Sequence, residues 1–126
     1  MLRCVLALAA ALLLASPAAA QVQRNFPQTA LRGAIVFGTA PEIAVNGQLA
    51  RLARAARIRD GNNMVVMPSA LHGGKFLVHY TVDTSGLVKD VWILTPEEAA
   101  RKPWPTRPEE AQAWGFDPIA QVWVKP

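Results

Sequence analysis

Past its first twenty residues the chain has no cysteine; the one thiol among 126 residues is Cys4. Disulfides, thiolate nucleophiles and cysteine metal sites are therefore excluded downstream, and about a hundred residues must fold by packing alone. Two serines remain there, Ser69 and Ser85, neither in a Gly-x-Ser-x-Gly elbow nor in a Ser-x-x-Lys pair. No apolar run reaches the roughly 20 residues of a bilayer-spanning helix. Charge is sparse and nearly balanced: 13 Lys and Arg, Arg3 among them, stand against 9 Asp and Glu. That mild positive excess serves solubility and permits an encounter with an acidic surface.

What the first twenty residues do have is a pattern. Arg3 precedes an apolar stretch over residues 5–14, and Ala18-Ala19-Ala20 offers a small-x-small cleavage site. The arrangement predicts a secretory signal peptide over residues 1–20, cleaved after Ala20. The mature chain is then periplasmic or secreted and carries no transmembrane anchor.

Residues 21–32 are polar, contain Phe26-Pro27 and show no regular period, so they read as an extended N-terminal arm. A β-rich body is expected over residues 33–95. Within it, GAIVFG at 33–38 reads as a glycine-flanked strand, and EIAVN at 42–46 as another that ends in the Asn46-Gly47 turn pair. Residues 56–60 and 63–67 read as a hairpin about Asp60-Gly61-Asn62. Between these pieces QLARLARAAR, at 48–57, places Leu49, Leu52, Ala53 and Ala56 at helical spacing with arginines on the other side, which predicts one or two helical turns.

The longest clear pattern is KFLVHYTVDTSGLVKDVWILT at 75–95, two β-prone runs joined by Asp83-Thr84-Ser85-Gly86. In the first run Phe76, Val78, Tyr80 and Val82 form an apolar face opposite Leu77, His79 and Thr81, which places His79 on a surface or barrel face. The second run is apolar on both faces, so something must cover Trp92. The tail over residues 96–126, with Trp104, Trp114, Phe116 and Trp123, is expected to pack there. Thr95-Pro96-Glu97-Glu98 and Pro108-Glu109-Glu110 are helix starts, the second helix is expected to close at Gly115 as a left-handed cap, and IAQVWV at 119–124 reads as a last strand or strap. About six short strands predict a mainly β single domain: a small partly closed barrel or sandwich, of SH3-like or OB-like size, with a short helical C-terminal tail.

Little chemistry emerges. Ser69 can be drawn with His72 or His79, but such pairs are recognised only by geometry. His79 and Asp83 lie about 13 Å apart on one strand, too far to share an ion, so neither a metal nor a cofactor is expected. The two glutamate pairs have capping work at helix starts. Asp83 has turn-forming work, since its carboxylate suits the amides of the turn. The sharpest feature is Arg51, Arg54, Arg57 and Arg59, four guanidinium groups within nine residues with no acid before Asp60.

The segments NFPQTALRG, VNG, ARIRDGNNM and DVWILTPEEA resemble a family of small exported proteobacterial proteins of unassigned function. That resemblance implies export and no known activity; the family's Pro-Gly turn ahead of Ala-Arg-Ile-Arg is replaced here by Arg54-Ala55. VHYTVDTSGLVKDVWIL is similar to the hairpin of the periplasmic domain of TonB-type energy transducers, although their proline-rich spacer is missing. The expectation is an exported, non-catalytic binding or structural module of the periplasm or cell envelope. Its arginines would meet an acidic envelope component or another periplasmic protein, with no nucleic acid expected. The alternatives are a small hydrolase or lyase using His72 or His79, and a small-ligand-binding barrel.

Overall fold

The computed structural model describes residues 23–126, so the signal peptide expected over residues 1–20 lies outside the described residues. Five strands close a barrel: β1 (Leu31–Phe37), β2 (Glu42–Val45), β3 (Gln48–Arg59), β4 (Lys75–Val82) and β5 (Val88–Ile93), in the order β1-β2-β3-β5-β4 and back to β1. All neighbours are antiparallel except β3 and β5, which run parallel. The fold class is therefore mainly β, as the alternating runs and turn pairs predict. Closure leaves no barrel strand as a free edge, which matters in a chain without disulfides.

The barrel is filled, not hollow. Ile35, Phe37, Ile43, Leu52, Ile58, Val78, Val88 and Val91 point inward and are buried. At the β4–β5 turn the Asp83 carboxylate accepts from the Ser85 and Leu87 amides, and Gly86 takes a φ of 85° that a side chain would resist.

The helix expected over residues 48–57 is instead the longest strand of the barrel. Its helical spacing is a coincidence of alanine and arginine placement: Leu49, on the supposed apolar stripe, is 93 % exposed, while Leu52 and Ile58 are buried. Pairing on both sides decides the conformation. Ala50 sits opposite Ile43 on β2, and Ile58 opposite Val91 on β5. Between those contacts Leu52 faces Val88 and Arg57 faces Asp90, so β3 takes five steps where β5 takes two. The surplus bulges outward, and the strand bends around the barrel there.

The hairpin expected over residues 56–67 keeps only its turn. Asp60 Oδ1 accepts from the Asn62 and Met64 amides, but a single bridge, Arg59 to Val65, replaces a second strand, and Pro68–Leu71 forms a 3-10 turn.

A second apolar layer lies on the outer side of β4 and β5. Phe26, Ala30, Trp104 and Trp123 form its buried centre, with Trp92, Leu94, Trp114 and Phe116 packed against it. Trp92 is thus covered as a two-sided strand requires, and the arm shares the work with the tail: the Phe26 ring meets Trp92 edge-on at 5.6 Å. The tail adds helices α1 (Pro96–Ala99) and α2 (Pro108–Ala113) and a two-stranded sheet of β6 (Gly115–Asp117) and β7 (Val122–Val124). Thr95 and Glu98 form the expected capping box at α1. Gly115 is not a left-handed cap: α2 ends at Ala113, Trp114 turns extended, and Gly115 opens β6.

Candidate functional site

The four arginines lie on a strand, not a helix, and this separates them. Arg51, Arg54 and Arg57 are exposed and Arg59 is half-buried. Arg51 and Arg54 line a groove of about 740 Å³ that crosses β3 at its bulge. Its other walls come from Ala40-Pro41 before β2, from residues 65–69 after β3, and from Leu87 in the β4–β5 turn. Arg57 and Arg59 do not line it. In the sheet register Arg57 lies opposite Asp90 and Arg51 opposite Glu42. The groove wall carries two cations and, among the described residues, no carboxylate. Val65 and Met67 stand 66 % and 68 % exposed along it. Guanidinium groups beside flexible apolar side chains suit a partner with both acidic and apolar groups.

Sequence reasoning missed a second polar cluster, under the aromatic layer. The Arg24 guanidinium forms a two-pronged pair with Glu98 and also donates to the carbonyls of Asp60 and Ile93, both at 2.8 Å. Arg32 donates to the carbonyls of Glu98 and Ala99 and, from Nε, to His79 Nε2 at 3.2 Å. All four side chains are buried. Burial on its own would raise the Glu98 pKa, but the hydrogen bonds from Arg24 and Thr95 and the Arg24 charge outweigh it and hold the carboxyl below its usual range. The signal in the sequence was slight: two arginines in a polar arm and a glutamate that capping already explained.

His79 is therefore not a surface histidine. Its ring stacks on Trp104 at 4.0 Å, meets the edge of Phe26 at 4.4 Å, and is 1 % exposed. Burial, and then the charges of Arg32, Arg24 and Arg101, lower its pKa to about 2. Because Nε2 accepts from Arg32, the neutral ring carries its proton on Nδ1, which has no partner. No substrate can reach this imidazole. His72 is exposed at the end of the 3-10 turn, and among the described residues no three His, Cys, Asp or Glu side chains gather as a metal site.

The His79 environment has a pH consequence. An unfolded chain takes up a proton at its imidazole as pH falls through about 6.5, whereas the folded chain holds the ring neutral far below that. The stability that depends on the neutral ring is complete above pH 6.5 and is lost progressively below it, at a limiting slope of about 1.4 kcal/mol per pH unit. Urea unfolding at steps from pH 7.5 to 4.5 should show this decline, and His79→Gln should flatten it. Glu98, with its lowered pKa, adds its own loss only below about pH 4.5. Equal slopes in the two proteins would contradict a buried neutral ring.

No protein family, curated protein or solved structure matches the chain.

Proposed function

We propose that the protein is an exported, non-catalytic binding module of the cell envelope, and that the groove across β3 is where it meets an acidic partner, either an envelope component or another exported protein. The observation that carries this reading is the placement of Arg51 and Arg54 on one groove wall with exposed Val65 and Met67 alongside and no carboxylate between them. Nucleic acid is a poor fit, since among the described residues no aromatic side chain lines the groove for a base to stack on. Catalysis through His79 finds no support in a ring sealed beneath Trp104.

Fluorescence anisotropy with a labelled peptide of alternating glutamate and leucine tests the groove. Arg51→Ala combined with Arg54→Ala should weaken binding about tenfold, as loss of charge-assisted contacts does. Arg57→Ala, outside the groove, should change it less than twofold. Equal binding by all three proteins, or none by any, would refute the groove as the partner site.

A further inference from the structure

The geometry points to a second site, for a small carboxylate with an aliphatic body, in the cleft between the β2–β3 turn, the β4–β5 turn and the start of α2. The cleft measures about 680 Å³, inside the range of roughly 300–1,000 Å³ typical of small-molecule sites. It shares no lining residue with the arginine groove, so it stands independently of the function proposed above.

Tyr80 is the observation that asks for a ligand. Its side chain belongs to the barrel core and the residue is 7 % exposed, yet its hydroxyl makes no hydrogen bond to any described residue. Tyr80 also lines the cleft, and its oxygen is not among the fully enclosed unpartnered polar atoms of the described residues. A tyrosine buried to this degree ordinarily finds a partner for its hydroxyl. Burial raises its pKa, so the group stays a neutral donor. An oxygen brought in by a ligand would accept from it.

Asn46 stands beside this hydroxyl-bearing ring. A methyl group built on Gly33 would lie 3.0 Å from the Asn46 carboxamide and 3.1 Å from Tyr80 Cε1, so both side chains close over the bare backbone of Gly33. Asn46 Oδ1 already accepts from the Ala34 amide at 2.9 Å, which leaves Nδ2 as the group with donor capacity to spare.

Between these donors and the rim the walls are aliphatic. Val45, Leu49, Val82 and Val88 supply them, and Leu49 and Val82 are 93 % and 47 % exposed. At the rim stands Arg107, the only charged side chain lining the cleft among the described residues. Its guanidinium forms a loose, exposed ion pair with Glu110 Oε2 at 3.9 Å, longer than a hydrogen bond and open to exchange for a ligand carboxylate, while Glu110 Oε1 is engaged by Thr106 and the Arg107 amide. Donors without a matching acceptor call for a ligand rich in acceptors, the single cation favours a negative one, and the aliphatic walls favour a hydrocarbon body.

Isothermal titration with octanoate, octan-1-ol and acetate tests the site, since the alcohol lacks the charge and acetate lacks the body. Octanoate should bind saturably, with the other two at least about tenfold weaker. Tyr80→Phe should lower octanoate affinity about tenfold while leaving the melting temperature unchanged, because the deleted hydroxyl bonds to no described residue. Arg107→Gln, an exposed change, should abolish the preference for octanoate over octan-1-ol. The Arg51→Ala, Arg54→Ala protein should bind octanoate like the parent, which separates this site from the groove. Absence of saturable octanoate binding, octan-1-ol binding as tightly as octanoate, or unchanged affinity in Tyr80→Phe would each overturn the proposal.

Discussion

Glu98→Ala is expected to destabilise the fold by about 3–5 kcal/mol, read as a lower urea midpoint with an unchanged slope. Among the described residues the carboxylate is the one negative group paired with Arg24, and both side chains are almost fully buried. Removing it strands a guanidinium in a low-dielectric layer, where the desolvation penalty is no longer offset. The same substitution removes the acceptor for the Thr95 amide at the start of α1. A double replacement, Arg24→Met with Glu98→Met, should recover most of the loss, because a buried pair contributes little net stability compared with apolar groups of similar size. A loss below about 1 kcal/mol in Glu98→Ala would show that water reaches Arg24 and that the cluster is not sealed.

Trp104→Ala should cost a similar amount, about 3–5 kcal/mol. The indole fills the centre of the second layer, in contact with Phe26, His79, Phe116 and Trp123, and its Nε1 donates to the Ala30 carbonyl at 3.0 Å. Deleting it leaves a void and an unpaired carbonyl together. It also uncovers His79, so the imidazole pKa should climb back toward 6.5 and the decline of stability below that pH should shrink in the variant. Thermal unfolding gives the first effect and its pH series the second. A Trp104→Ala protein with full acid sensitivity would mean that Phe26 and the arginines, rather than the indole, keep His79 dry.

How much of this was legible beforehand depended on how local the deciding contact is. The β4–β5 hairpin could be read because Asp83 and Gly86 specify their own turn and the flanking alternation needs no distant partner. The cap at α1 was equally local. The fate of residues 48–57 was not, because alanine and arginine satisfy a helical period as easily as a bulged strand. What separates the two is β2 on one side and β5 on the other, and the β5 pairing is parallel, with all of β4 intervening.

The candidate groove was half legible. Four arginines in nine residues announced a basic stretch, but which of them face a groove follows from a bulge that no local pattern encodes. The cleft at Tyr80 was invisible for a similar reason: an unpartnered hydroxyl exists only once every neighbour is in place. His79 does lie on the barrel face that strand alternation gave it, but alternation says nothing of what later covers that face. Its covers, Phe26 and Trp104, arrive from opposite ends of the chain.

Phe26 and Gln121 exchange two hydrogen bonds, amide to Oε1 at 2.8 Å and Nε2 to carbonyl at 3.2 Å, across a separation of 95 residues. A polypeptide is made from its amino end, so the arm must wait for Gln121 before its clasp exists. The barrel strands are complete by Ile93, whereas the outer layer still lacks Trp104, Gln121 and Trp123. Assembly is thereby given an order, with an inner body that can close first and an aromatic coat that can be fastened only after Gln121 and Trp123 have been added. Long-range fastening of this kind is slow, because closing so long a loop costs entropy before the contact rewards it.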